Sequence, residues 1–108
     1  MRKARVDDNQ AELVKVMRDL GASVTITSNG HDGFPDVVVG ICGVTVLTEI
    51  KDGSKPPSKR KLTDDQETFH NEFKGAKTVI KNIDEAVDLV QNMRRVGLLL
   101  DAKKMIFW

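Results

Sequence analysis

The spacing of apolar positions changes period several times along the chain. Between Asn9 and Leu20, the residues Leu13, Val14, Met17 and Leu20 recur at helical spacing and Gly21 offers a stop, which predicts a first helix. Ala22 to Ser28 alternates small or polar residues with β-branched ones, the pattern of a strand with one exposed face. After the loop from Asn29 to Gly33, Val37–Ile41 and Val44–Ile50 read as two strands apolar on both faces, as expected of central strands covered on each side. They form a hairpin about Cys42-Gly43. Thr63-x-x-Gln66 has the capping-box pattern and opens a helix that carries Phe69 and Phe73 and ends near Gly75. Ala76 to Ile80 is a short strand, and Asn82-x-x-Glu85 opens a third helix with Ala86, Leu89, Val90 and Met93 on its apolar side. The predicted order is αβββαβα, an α/β chain built on a mixed α+β sheet. The last segment, Gly97 to Trp108, has two apolar clusters and no clear period. It reads as a final strand, a docking arm or half of a subunit contact, because apolar residues this dense are seldom left in water.

A length of 108 residues suits a single domain, 1–108, with one modest core. No apolar run is long enough to cross a bilayer, so no membrane role is expected. The basic start, Met1 to Arg5, runs into Asp7 and Asp8 instead of an apolar stretch, unlike a secretory signal. Cys42 is the sole cysteine, which excludes an internal disulfide framework and a cysteine-based zinc site and fits a reducing cytoplasm. A net charge of +1 says little about partners, but Lys51, Lys55, Lys59, Arg60 and Lys61 crowd one short segment against the single acid Asp52. Lys55, Lys59, Arg60 and Lys61 read as phosphate contacts that position a nucleic acid without reading its bases; a solvated loop is the ordinary alternative.

The most specific chemistry lies in the hairpin. With a two-residue turn at Cys42-Gly43, Ile41 faces Val44 and Asp36 faces Glu49. Opposed side chains have Cβ atoms roughly 4.5 to 5.5 Å apart, where like charges destabilise. Lys51 returns to the face of Glu49 while Ile50 points to the other side. One ammonium neutralises such a pair only in part, whereas a divalent cation is the natural partner of two converging carboxylates: Mg²⁺ takes one or two of them and completes its shell with water and phosphate oxygens. Taken alone, Glu49-x-Lys51 is also the pattern of a sheet-edge ion pair, and Pro35 is also a common strand start. The conjunction of opposed acids, an adjacent lysine and a basic run favours the metal.

Pro35-Asp36 followed by Glu49-Ile50-Lys51 resembles the signature of the PD-(D/E)XK nuclease superfamily. The stretches Asn9-Gln-Ala-Glu12, Gly33 to Gly40, Thr48 to Gly53 and Lys61 to His70 together resemble small phage-type VRR-NUC proteins, which are related to archaeal-type Holliday junction resolvases. The likeness spans roughly Asn9 to Val90. It implies a restriction-endonuclease-like core in which Asp36 and Glu49 hold the metal, Glu12 adds a carboxylate from the first helix and the Ile50 carbonyl adds a backbone oxygen. Lys51 would sit near the attacking water, and Gln66 would lie beside the site. Asn9-x-x-Glu12 and Thr63-x-x-Gln66 are also capping boxes, so each has a purely local explanation.

The implied activity is that of a Mg²⁺-dependent DNA endonuclease, with Mn²⁺ able to substitute, acting on branched or four-way-junction DNA as a homodimer in a bacterial host cell. Two other expectations stand beside it: a nicking or restriction-type nuclease, and a non-catalytic nucleic-acid-binding protein on the same fold. His31, Asp32 and Ser28 lie near the motif without an assigned role, and Cys42 has no catalytic partner.

Overall fold

Several local signals in the sequence are spent on identifiable turns and caps. In the computed structural model, which describes residues 7–28 and 33–102, helix α1 spans Gln10–Asp19 and buries Gln10, Leu13, Val14 and Met17 along one stripe. It stops at Gly21, whose φ of 100° suits glycine; the Gly21 N–H donates to the Arg18 carbonyl and the Ala22 N–H to that of Met17, a Schellman closure. Strands β1 (Ser23–Ile26), β2 (Val37–Ile41) and β3 (Val44–Ile50) follow as an antiparallel meander. The β2–β3 turn is Cys42-Gly43, with φ of 54° and 77° and Ile41 paired to Val44, the left-handed pair that suits a two-residue hairpin.

A short 3₁₀ turn (Pro57–Lys59) leads to α2 (Asp64–Glu72), and β4 (Lys77–Ile80) then joins β3 in parallel before α3 (Ile83–Ala102). The result is a mixed four-stranded sheet in the order β1-β2-β3-β4. The starts of α2 and α3 are capped by their own side chains: Thr63 and Gln66 bond reciprocally at the first, and the Glu85 N–H donates to Asn82 Oδ1 at the second.

One sheet face carries the core. Val24, Val39 and Val46 are successive register partners across β1, β2 and β3, and they lie with Val37, Ile50 and Ile80 against the apolar stripes of α1 and α3. The other face is covered far less. Val38 and Leu47 are only half-buried, Thr45 is exposed, and α2 buries none of its residues. The expectation of central strands covered on both sides is therefore met on one side alone, because a nine-residue polar helix shields only part of the sheet.

The expected final strand is also corrected. Residues 97–102 continue α3, and only 103–108 lie outside the described residues. Gly97 extends the buried stripe of Val90 and Met93 by one turn, and a Cβ there would come within 2.5 Å of Cys42. The helix needs glycine to pass the hairpin turn, so the residue at which the sequence loses its period is a contact within α3 in the fold. No helix among the described residues is long and apolar enough to cross a membrane.

Candidate functional site

The lightly covered sheet face holds a buried ionisable group. Asp36 lies one residue beyond the last β2–β3 pair, Val37 with Thr48, so the same register sets it opposite Glu49. The backbone explains why the carboxylate turns inward. The Pro35 carbonyl is bonded by Thr27 Oγ1 on the β1 side, and the Asp36 carbonyl by the Thr27 N–H at 2.7 Å. The Ile50 N–H at the end of β3 therefore donates to Asp36 Oδ2, at 2.8 Å. The next N–H, that of Lys51, donates to the Ile80 carbonyl of β4, so Ile50 presents its polar backbone towards Asp36 while its side chain is fully buried in the core.

Asp36, Glu49 and Lys51 are 8%, 1% and 9% exposed, which makes each of their charges costly unless matched. Glu49 Oε2 accepts from Gln66 Nε2 at 2.9 Å, whereas its Oε1 is buried without a hydrogen-bond partner. Gln66 Oε1 accepts from both Lys51 Nζ (2.8 Å) and the Thr63 N–H (2.9 Å). These are two obligate donors, so the orientation of the amide is settled and its NH₂ must point at Glu49. Gln66 is thus a helix cap and a site residue at once.

Burial raises the pKa of Glu49 to about 9, with a further rise from the Asp36 carboxylate facing it; Lys51 opposes the shift and Asp7 adds to it. A carboxyl so shifted keeps its proton at neutral pH. An orphaned oxygen, a retained proton and a neighbouring ammonium together describe a site that has more anionic ligand capacity than the protein's own cations neutralise.

The structure does not bring Glu12 to this pair. With Gln10, Leu13, Val14 and Met17 turned inward, Glu12 falls about 200° around α1 from Gln10 and is exposed. It lines a separate cleft of about 530 Å³, with Asp8, Asp52 and Asp84, between the starts of α1 and α3. Nor does Asn9 form a capping box with Glu12. Its Nδ2 spans the Lys51 and Lys81 carbonyls, at 3.2 and 3.1 Å, and ties α1 to the ends of β3 and β4.

The acid from this region that the pair feels is Asp7, just before α1. Burial raises its pKa, Lys51 and Lys55 counter that, and Asp36 reinforces it. Among the described residues no three His, Cys, Asp or Glu side chains gather closely enough to hold an ion by themselves. A hard cation that keeps most of its water needs only the facing pair.

Ser28, which the sequence left without a role, and Gln10, to which it gave none, fix the backbone of Asp36. Gln10 Nε2 donates to Ser28 Oγ at 3.0 Å, and Ser28 Oγ lies 3.3 Å from the Asp36 carbonyl, all of it buried. The available signal was a glutamine within an otherwise apolar helical stripe.

The basic segment divides. Lys55 Nζ is 3.8 and 3.9 Å from carboxylate oxygens of Asp7 and Asp8, and Arg60 Nη1 clips the loop by donating to the Gly53 carbonyl. Lys59 and Lys61 are exposed and form no ion pair among the described residues. His31 and Asp32 lie outside those residues.

No family model, no curated protein and no solved structure matches the chain. The residues and their geometry are accordingly what bears on function.

Proposed function

We propose that the chain is a metal-dependent DNA endonuclease of the PD-(D/E)XK type, with a restriction-endonuclease-like core and a preference for branched DNA. The observation that carries the reading is the buried Asp36–Glu49 pair beside Lys51, with Glu49 Oε1 unpartnered, on the sheet face that only α2 covers and only in part. Asp36 and Glu49 are the residues that would hold Mg²⁺ or Mn²⁺, the Ile50 carbonyl is turned to the same side, and Asp7 would lend charge from beside them. Glu12 is not part of this proposal.

A bound dication supplies a polarised phosphate oxygen and a water of lowered pKa. The remaining work falls to the chain. Glu49 must give up its proton to become a ligand. Lys51 sets a positive charge where phosphodiester hydrolysis gathers negative charge, and Gln66 holds the ammonium and the Glu49 carboxylate in a fixed relation, so neither has to reorganise during the reaction. Lys59 and Lys61, both exposed, would contact phosphates further along the DNA. Symmetric cutting of a four-way junction needs two such sites related by a two-fold axis, hence a pair of chains.

The test is incubation of the full chain with labelled linear duplex, flap and four-way-junction DNA, with and without Mg²⁺ or Mn²⁺. Dication-dependent cleavage that disappears in Asp36→Ala and Glu49→Ala is the expected outcome. Binding without cleavage under every condition would leave a non-catalytic DNA-binding protein.

A further inference from the structure

The stripe of α2 that meets the site does not end there. Positions 66, 69 and 73 share one helical face, so the residue bonded to Glu49 and Lys51 is followed by two phenylalanines. Phe69 and Phe73 are stacked, with centroids 5.1 Å apart and planes 14° apart. Phe34, two residues before Asp36, meets Phe69 edge-on at 5.3 Å and 66°. Three of the chain's four phenylalanines thus form one ladder that starts beside the facing carboxylates.

Aromatic residues at this spacing are ordinarily core, yet here they are not enclosed. Phe34 and Phe69 are half-buried and Phe73 is 37% exposed, on a helix that buries none of its residues. The turn after α2 is fitted to the ladder: a Cβ on Gly75 would come within 2.6 Å of the Phe73 ring. Acids line the α2 part of its flank, Asp65 and Glu72 among them, and cations stand only at its far end. Lys74 is exposed beside Phe73, and Lys77 donates to the Phe73 carbonyl.

We infer that Phe34, Phe69 and Phe73 form a stacking surface for an unpaired base of the DNA strand whose phosphodiester lies at Asp36, Glu49 and Lys51. The inference rests on the nuclease reading and narrows its substrate class to DNA with unpaired bases beside the cleaved bond. Ring faces accept any base, whatever its sequence, and the ladder runs on from Gln66, which bonds Glu49 and Lys51, so a strand held at those residues reaches it directly, with the exposed Lys74 at its far end for a phosphate. A base inside a continuous duplex already spends both faces on its neighbours, so only an unpaired one can reach the ladder without breaking a stack.

Fluorescence anisotropy in EDTA, where no cleavage occurs, tests this with the full chain and two labelled DNAs of equal length, a blunt duplex and the same duplex carrying a short single-stranded gap. The wild type is expected to bind the gapped DNA roughly tenfold more tightly. Phe73→Ala and Phe73→Leu should each weaken gapped-DNA binding by roughly five- to fiftyfold and leave blunt-duplex binding unchanged, while Phe73→Trp retains the preference. Phe73→Leu keeps an apolar side chain on Phe69, and an unaltered circular dichroism spectrum shows that it folds. Equal affinity of the wild type for the two DNAs, or an undiminished preference in folded Phe73→Leu, overturns the inference. Failure of the nuclease reading looks different: Phe73-dependent binding by a chain that cuts nothing in Mg²⁺ sinks the reading and leaves the surface standing.

Discussion

The two faces of the same four strands are built to opposite ends. Val24, Val39, Val46 and Ile50 point to the side where α1 and α3 close a core of buried apolar residues. One position along each strand, the side chains turn over, and the neighbours of those residues include Asp36, Glu49 and Lys51 beneath a helix that buries nothing. The core face contributes stability through apolar area removed from water. The other spends part of that stability to hold like charges together. The lesson is that an alternating strand lets a small protein keep a poorly solvated charge cluster without interrupting its core, because the two sets of side chains never share a layer.

The sharpest way to break this contrast is to neutralise one acid. Glu49→Gln should lower dication-dependent cleavage on the order of 10²- to 10³-fold, while the thermal midpoint stays level or rises because the amide mimics the protonated carboxyl and has no proton to lose in a buried site. Gel-based cleavage and calorimetric melts on one preparation check both halves. A large fall in the midpoint would show that the pair is structural. On the opposite face, Leu13→Ala removes a fully buried side chain of α1. It should cost about 2 to 5 kcal/mol in urea unfolding, and lose activity only as far as the chain unfolds.

The pH dependence of stability separates the faces again. The folded pKa of Glu49 is raised to about 9 from 4.5, so the folded chain keeps a proton that the unfolded chain has released over that window. The associated stability is complete below about pH 4.5 and is lost progressively as pH rises to about 9. Melts in EDTA should fall between about pH 5.5 and about pH 8.5, and fall less in Glu49→Gln. Added Mg²⁺ should reverse the trend and release protons, measurable by titration calorimetry in buffers of different ionisation enthalpy.

Gln66 tests the joint between cap and site. Gln66→Glu can rebuild the capping box but sets a third carboxylate against Glu49, so the helix should hold while cleavage drops. Gln66→Ala loses the cap as well, at a cost of about 1 kcal/mol. The smallest effects belong to the loop. Neutralising Lys59 or Lys61 should each reduce the salt slope of DNA binding by about one, and Lys55→Ala should change it less, since Lys55 is already paired with Asp7 and Asp8.

Much of the site could be read from the chain. Period-two alternation and a two-residue turn were enough to set Asp36 opposite Glu49 and to return Lys51 to their face, and Thr63-x-x-Gln66 announced its own helix. Local reasoning failed at Asn9-x-x-Glu12, which has the pattern of a capping box but forms none, and the site role that the resemblance implied for Glu12 is not met by its exposed position. Asn9 is drawn to the carbonyls of Lys51 and Lys81, which are distant in sequence, and the roll of α1 that this accompanies carries Glu12 outward and leaves Asp7 beside the pair.

The sequence by itself determined what depends on neighbours a few residues apart: the order of the elements, the hairpin register, the caps, and the side of each strand on which a charge emerges. The tertiary structure alone decided which acid before or on α1 approaches the pair, which basic residues are consumed within the fold, how much of the second sheet face stays open, and that Gly97 carries α3 onward past Cys42. Those outcomes depend on how helices seat against the sheet, and that seating comes from summed long-range packing and hydrogen bonds between residues far apart along the chain, for which no local period exists.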